Sequence, residues 1–396
     1  MDRKQGFNVF KHIFKWTIIS AVIGVVGSLS SIIITKIIGF LSPISNNNIC
    51  TIPIILAFAG YFVDKYPHLK GSGVDRTLNA YNKKILLNPF IGFLKIVISG
   101  IVIGMGGSAG KVGPSIQASS SFADFIYKKF KLRNRKALLI SGIAGGISGD
   151  LCAPLGSAVF AAEIIKREGF EYISCFPAIM ASIFGYLSYV VVFKQVRLFS
   201  TLLNYHISIL DFPTIFLCAI FCGIISYLYI HTFDDIRVFF DKLPYPQYLK
   251  SFVGGCIVAF IGYFIPQSLG LGADLVNQFL TLKYGTITLL FILFSKIFTT
   301  SFTVGTGTPG GLVVPSIIIG ACAGAFFGTL IGTHVIIPFV VVGIATCLSA
   351  MANVPLASAI LCTEIFGFDF AIPSAIGALM GFQLVRWKTI YENIKF

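Results

Sequence analysis

The chain has 396 residues, and its composition excludes an ordinary soluble domain. Hydrophobic residues make up 56% of it, charged residues make up 12%, and the mean hydropathy is +0.87, whereas soluble domains are about a quarter charged. The net charge is +14, but in a membrane protein an excess of Lys and Arg reports cytoplasmic loops rather than nucleic-acid binding. We therefore expect a multi-pass membrane protein that has no nucleic-acid partner.

The basic residues indicate which segments face the cytoplasm. Lys11 and Lys15 precede an apolar run, residues 17–41, that is too long for the core of a cleavable signal peptide. This run predicts a first spanning helix with a cytoplasmic N-terminal flank. Residues 128–136 hold the densest basic cluster, which predicts a cytoplasmic loop. The nine cysteines form no CxxC pair, so we expect no disulfide framework, no metal site and no cofactor.

The apolar runs come in two lengths. Long runs at residues 172–193, 207–230 and 285–302 can cross a hydrocarbon core about 30 Å thick. Shorter runs, interrupted by many of the 40 glycines and 16 prolines, lie at residues 51–63, 137–148, 154–165 and 355–366. Because interrupted helices would expose backbone polar groups to lipid, they must meet inside the protein around a polar cavity. The pattern predicts an all-α integral membrane fold with broken helices, as in transporter and channel cores.

An internal repeat is visible as three motifs that recur at one offset of 201 residues. These are the segments 110–116, 142–144 and 154–163, which recur as 311–317, 343–345 and 355–364. An odd number of membrane crossings in each half would make the repeat inverted, with the glycine- and proline-rich breaks face to face near the midplane.

The repeat defines the predicted domain organisation. We expect a single transmembrane domain over residues 1–396, made of two repeats at about 14–195 and 205–385. A short C-terminal helix at about 386–395 follows the second repeat, and no cytosolic regulatory domain is expected.

The breaks at residues 110–114 and 307–315 each lead into a helix that starts with proline and serine. The first N–H groups of a helix lack internal partners, and the helix dipole is positive at that end. Two such ends that converge would bind an anion without any cationic side chain. The alternative is that both breaks are packing kinks.

Five segments together resemble the CLC family of chloride channels and chloride/proton exchangers. They are Gly71-Ser72-Gly73, residues 110–114, residues 311–315 and the Pro-Leu…Glu helices at 154–163 and 355–364. The resemblance covers nearly the whole chain in the right order. It implies an inverted-repeat homodimer with one anion pathway per subunit, chloride or a similar small anion as the transported species, and no enzymatic activity.

The resemblance also implies a role for particular residues. Ser72 falls on the serine of the family's GSGIP segment, and Tyr391 falls on a tyrosine of the last helix; both hydroxyls would donate to the central anion. Backbone amides of Leu312 and Val313 would hold the same ion, and Gly113 would supply an outer site. The alternatives are that Ser72 only caps a helix and that Tyr391 is an interfacial aromatic.

Lys95 falls where the family has an intramembrane lysine that makes the pore positive. A lysine in mid-membrane costs about 2.5–3.5 kcal/mol on insertion scales, which favours a functional reason for its presence.

The sequence departs from the family pattern at three positions. Val112 stands where the gating glutamate is expected, and Ile164 stands where an internal proton-carrying glutamate is expected. Asp75 replaces the proline of GSGIP, and its charge would repel anions at the inner mouth. Glu163 and Glu364 end short helices, where we expect them to lie at the cytoplasmic boundary or to accept hydrogen bonds from nearby backbone, rather than to transfer protons.

These departures predict passive, uncoupled conduction of chloride or a similar anion. One alternative is a chloride/proton exchanger that uses other carboxylates, with Glu163 as the candidate. A second alternative is a non-conducting regulatory membrane protein of the same fold. From the composition we expect a cell membrane location, in a bacterial plasma membrane.

Overall fold

A computed structural model describes residues 3–45, 48–83, 85–166, 169–194, 198–199, 208–281, 283–333 and 335–391. Within these ranges it contains 16 α-helices and no β-strand. The first half contributes eight helices, which are α1 (Arg3–Ser45), α2 (Ile52–Lys65), α3 (Val74–Lys83), α4 (Pro89–Gly104), α5 (Val112–Lys129), α6 (Arg135–Leu151), α7 (Pro154–Glu163) and α8 (Cys175–Phe193). The second half contributes eight more, which are α9 (Phe212–Lys242), α10 (Gln247–Phe264), α11 (Asp274–Leu280), α12 (Thr286–Val304), α13 (Val313–Leu330), α14 (Ile337–Ala352), α15 (Pro355–Phe366) and α16 (Ala371–Leu384).

The helix lengths confirm the all-α, broken-helix prediction. Among the described residues, six helices are long and apolar enough to cross a membrane. Others are too short, such as α7 with 10 residues and α15 with 12 residues. The two halves carry the same series of helices, and α5 and α13 each have 18 residues. The basic loop follows the C-terminal end of α5, and the first residues of α5 and α13, Val112 and Val313, are buried.

A backbone pairing at the centre of the molecule reveals the symmetry of the two halves. Gly110 and Gly311, which are equivalent in the repeat, form an isolated antiparallel bridge. Each amide donates to the other residue's carbonyl at 2.7 Å. Because equivalent residues pair in opposite directions, the two halves are related locally by a two-fold axis through this pair. Such an axis, when it lies in the plane of the membrane, is the symmetry of an inverted repeat.

Two glutamates lock the halves together by capping each other's helices. The Glu163 carboxylate accepts hydrogen bonds from two first-turn amides of α15, at 3.1 and 2.7 Å. The Glu364 carboxylate accepts two from the first turn of α7, at 3.1 and 2.8 Å. A carboxylate is favourable at a helix N-terminus because the unpaired amides and the dipole are both positive there. The prediction that these glutamates accept backbone hydrogen bonds is confirmed.

The predicted short helix at residues 386–395 is wrong over residues 386–391, which are not helical. Here the amide of Ile390 donates to the carbonyl of Met351 on α14 at 3.0 Å. A helix would direct that amide to its own chain, so the tertiary hydrogen bond holds the segment open instead. Residues 392–395 of the prediction lie outside the described residues. Much of the predicted boundary between the repeats, at 195–205, lies outside them as well.

Candidate anion pathway

Three glycine-containing segments meet at the centre of the molecule, and we call them the glycine crossing: residues 71–73, 110–113 and 307–311. Two backbone hydrogen bonds of 3.3 Å join the first segment to the third, and two of 2.7 Å join the second to the third. The structure therefore brings together three motifs that the sequence analysis identified and that lie far apart in the chain.

Glycine is required in the crossing because the backbones approach too closely for a side chain. A Cβ atom on Gly113 would lie 2.1 Å from the carbonyl oxygen of Ser72. Gly73 has φ +90°, and a Cβ atom there would lie 2.8 Å from the carbonyl oxygen of Gly113. Only glycine combines that conformation with that contact.

The glycine crossing brings the N-terminal ends of helices α5 and α13 close together. Helix α5 begins at Val112 and α13 begins at Val313, and neither has a side-chain cap. Among the described residues, no backbone hydrogen bond uses the amides of Val112, Gly113, Val313 or Val314. These residues are buried, as is Leu312, which directly precedes α13. Unpaired amides at a positive helix end form a site for an anion.

The Ser72 side chain is buried, but its hydroxyl already has a partner. Its Oγ donates to Oδ2 of Asp75 at 2.9 Å. A serine hydroxyl has a single proton to donate, so this contact competes directly with donation to an anion. The alternative in which Ser72 only caps a helix is not observed either, because the hydrogen bond of its hydroxyl goes to a side chain and not to a backbone group. Asp75 thus lies beside the predicted anion ligand, as an acidic neighbour that the sequence flagged.

Tyr391 lies against Met351 of α14. It is 2% exposed, which rules out the interfacial alternative, and its hydroxyl is 3.9 Å from the sulfur of Met351. Of the two predicted hydroxyl ligands, Ser72 donates to Asp75, and no hydrogen bond joins Ser72 to Tyr391 among the described residues.

Lys95 is fully buried and has a counterpart that the sequence reasoning missed. Its Nζ donates to two carbonyls of the segment leading into Ser72, each at 2.5 Å. Lys296, 201 residues later, is equally buried and donates at 3.2 and 3.0 Å to the segment leading into loop 270–274. That loop repeats the Gly-X-Gly-X-Asp pattern of residues 71–75. Both lysines position a loop through hydrogen bonds to its backbone carbonyls.

The two positions where the family pattern has glutamate carry buried apolar side chains. Val112 is 0% exposed and Ile164 is 1% exposed. Val112 is the first residue of α5, beside the glycine crossing, and Ile164 follows directly after the capping carboxylate of Glu163. Neither side chain can bind a proton.

A cavity of about 770 Å³ lies at the N-terminal end of α5, opposite the end that leads into the basic loop, and we call it the outer cavity. Its lining includes Lys111, Tyr189 and the loop at 270–274. Lys111 forms an ion pair with the buried Asp150, with 3.3 Å between Nζ and Oδ1. Sequence reasoning missed this pair. The rule applied to Lys95, that a charged residue inside an apolar run needs a partner or a function, would have singled out each residue but not their pairing.

Comparison with known proteins places this geometry in a family. The family model described as voltage gated chloride channel matches residues 55–386. The chain is 47% identical to the uncharacterized protein MJ0305 of Methanocaldococcus jannaschii over all 396 residues, which is the full length of both. It is 27% identical to the H(+)/Cl(-) exchange transporter ClcA of Vibrio cholerae over 376 residues, 87% of this chain and 78% of that protein.

The fold has a solved counterpart. The crystal structure of a CLC-type fluoride/proton antiporter superposes with a TM-score of 0.86 at 20% identity, covering 96% of this chain and 98% of that one. The likeness confirms the predicted inverted-repeat, broken-helix architecture. The family match and the fold together lead to one conclusion: the chain is a multi-pass membrane protein of the CLC family.

Proposed function

We propose that this protein conducts chloride or a similar small anion passively, without coupling to protons. The observation that carries the proposal is the apolar, buried character of Val112 and Ile164. Coupled exchange requires a group that binds a proton in competition with the anion, and two such groups are replaced here by hydrocarbon. The anion then moves down its electrochemical gradient.

The proposed path runs past the two helix starts at the glycine crossing. The amides of Gly113 on one side, and of Leu312 and Val313 on the other, supply neutral donors in a buried setting. Tyr391 and Ser72 border the inner end, and Ser72 becomes available as a donor only when it leaves Asp75. Neutral donors bind an anion weakly enough for it to leave again, as conduction requires.

The exchanger alternative has to use carboxylates other than the family's. The names of two related proteins describe proton-coupled transport, for ClcA and for the fluoride/proton antiporter. The candidate from the sequence, Glu163, accepts hydrogen bonds from the first turn of α15 with both carboxylate oxygens, which leaves it poorly suited to carry protons. The non-conducting alternative draws no specific support from the site.

We further propose that the protein works as a homodimer in a bacterial plasma membrane. Helices α7 and α15 present Leu155 and Leu356, which are 55% and 57% exposed and equivalent in the repeat. On the helices that pack against α7 and α15, Val191 of α8 and Ile372 of α16 are 78% and 59% exposed. Cross-linking of a Leu155→Cys variant in membranes tests this face, with Phe40→Cys on α1 as the control for random collision.

A flux assay in liposomes tests the function. Purified protein is reconstituted, a chloride gradient is imposed, and chloride and pH electrodes are read together. We expect chloride efflux, once valinomycin clamps the potential, with no accompanying proton uptake. Proton uptake in a fixed ratio to chloride would establish exchange instead, and flux equal to that of empty liposomes would establish a non-conducting protein.

A further inference from the structure

The outer mouth contains a buried ion pair that the proposed conduction mechanism does not use. Lys111 directly precedes α5, and its side chain is 8% exposed, on the wall of the outer cavity. Asp150 lies near the end of α6, and its side chain is 0% exposed. Both residues also line a smaller void beside Val314, at the start of α13. The pair therefore lies between the outer cavity and one of the two helix starts.

Polar groups on two other helices hold the ammonium in place. Lys111 Nζ donates to Thr35 Oγ1 of α1 at 3.0 Å and to the hydroxyl of Tyr189 of α8 at 3.5 Å. The centre of the Tyr189 ring is 5.3 Å from Nζ. The ammonium thus keeps neutral partners that do not depend on Asp150, and it remains supported when that carboxylate is changed.

The carboxylate of Asp150 is only half satisfied. Oδ1 accepts from Ser31 on α1 and faces Lys111, whereas Oδ2 is buried without a hydrogen-bond partner in the part of the chain that the structure describes. An incompletely bonded buried carboxylate is costly, so it is retained only where its charge serves a purpose or a partner completes it.

A second buried ion pair shows what a purely structural arrangement looks like in this protein. Arg135 Nε and Nη2 donate to the two oxygens of Asp124 at 2.6 and 2.7 Å. The amide of Leu87 also donates to Asp124, at 2.9 Å. Both oxygens are satisfied, and the contacts are short. The pair of Lys111 and Asp150 is longer, one-sided and adjacent to a cavity.

We propose that Asp150 is a resident counter-anion of Lys111 and thereby sets the affinity of the outer mouth for the transported anion. The inference rests on the proposed anion conduction. While Asp150 neutralises the ammonium, an anion in the outer cavity meets little net attraction from it. Without that carboxylate the ammonium would take its counter-ion from the cavity, because opposite charges attract strongly where water is scarce.

The other charged groups of the cavity do not replace this role. Asp274 also lines the cavity, but it is exposed, so that solvent screens its charge. Lys296 is buried behind its loop and donates to backbone carbonyls. Lys111 is therefore the cation whose attraction for an anion Asp150 controls.

The test is calorimetric titration of the full-length protein in detergent with chloride, comparing four variants with the parent. Asp150→Asn keeps the shape and removes the charge, and we expect chloride to bind at least about fivefold more tightly. Lys111→Gln should weaken binding by a similar factor. The double variant should return to about the parent affinity or below, because the freed ammonium is gone. Asp124→Asn is the matched control, which should lower thermal stability without changing the chloride affinity.

Each result decides the question. Tighter binding in Asp150→Asn that disappears in the double variant supports the proposal. An affinity in Asp150→Asn equal to that of Asp124→Asn would overturn it and make the pair structural. If Asp150→Asn does not fold, Lys111→Gln decides alone, since unchanged chloride affinity there contradicts the proposal. A parent protein that transports no anion in liposomes would instead refute the proposed function, which is a separate result.

Discussion

The loops at residues 71–75 and 270–274 hold equivalent places in the two halves, yet they differ in one important way. Both follow the pattern Gly-X-Gly-X-Asp, and all four of their glycines have positive φ. Each is held through backbone carbonyls by a buried lysine. The second position, however, is Ser72 in the inner loop and Leu271 in the outer loop. The inner serine is buried against its aspartate, whereas the outer aspartate is exposed to a cavity.

This difference separates architecture from chemistry. Features present in both loops, the glycines and the lysines, are what the fold needs to turn the chain and to enter a short helix. Lys95 therefore holds its loop in place, in addition to any effect on the pore potential, since Lys296 forms the same kind of backbone hydrogen bonds in the other half. The pairing of Ser72 with Asp75 occurs only in the inner loop, and it is where we expect the anion path to be controlled.

The largest expected effect separates the two loops by stability. Gly73→Ala places a methyl group 2.8 Å from a backbone oxygen at positive φ, whereas the tightest neighbours of Gly272 are flexible side chains at 3.1 and 3.2 Å. We expect Gly73→Ala to cost about 3 kcal/mol or more and Gly272→Ala to cost about 1–2 kcal/mol. Thermal unfolding of the purified variants measures both. Equal losses would break the distinction between a rigid inner loop and an adaptable outer one.

The next effect concerns the helix starts. Val112→Glu puts a carboxylate at the buried start of α5, where it would compete with the anion for the free amides. We expect chloride flux at pH 7.5 to fall about tenfold. Flux should recover on acidification, because protonation of the glutamate, whose unperturbed pKa is about 4.3, removes the charge that competes with the anion. Val112→Gln controls for size and should not respond to pH. Parental flux in Val112→Glu at pH 7.5 would show that Val112 does not border the path.

A smaller effect tests the carboxylate of the inner loop. Asp75→Asn removes a negative charge and weakens the hold on the Ser72 hydroxyl. We expect chloride to bind about three- to tenfold more tightly in calorimetry, which corresponds to a charge-assisted contact of about 1 kcal/mol. The matched change in the outer loop, Asp274→Asn, should alter affinity less than about twofold, because solvent already screens that group. Equal effects at both positions would remove the functional distinction between the loops.

The smallest effect belongs to the serine itself. Because Ser72 donates to Asp75, Ser72→Ala alone should change chloride affinity by less than about threefold. In the Asp75→Asn background the same change should weaken binding further, since the freed hydroxyl is then a ligand. An identical effect of Ser72→Ala in both backgrounds would mean that the two side chains are not coupled.

Much of the fold could be predicted because its signals are local. Composition, run length and the offset of 201 predicted an all-α broken-helix repeat without knowledge of any contact. The similarity of the loops at residues 71–75 and 270–274 was not recognised because their offset is 199 residues, two fewer than the offset of the other motifs. Residues 386–391 were misjudged because a tertiary hydrogen bond to α14 outweighs local helix preference there.

The predicted site residues could be named but their partners could not. Ser72 was expected to donate to an anion, and only the structure shows that Asp75 takes its hydrogen bond. Asp150 was overlooked because its partner, Lys111, is 39 residues away in the chain. Sequence patterns indicate which residue types are unusual for a membrane interior, whereas the pairing of distant charges depends on how the helices pack.

The central claim, conduction without proton coupling, is tested most directly by the reversal potential of the protein in a planar bilayer. A chloride gradient is imposed first at equal pH on both sides and then with a pH gradient added. The account predicts that current reverses at the equilibrium potential of chloride in both cases. A reversal potential that moves when only the pH gradient changes would show that protons are transported with chloride, and it would contradict the assignment of Val112 and Ile164 as an uncoupled pathway.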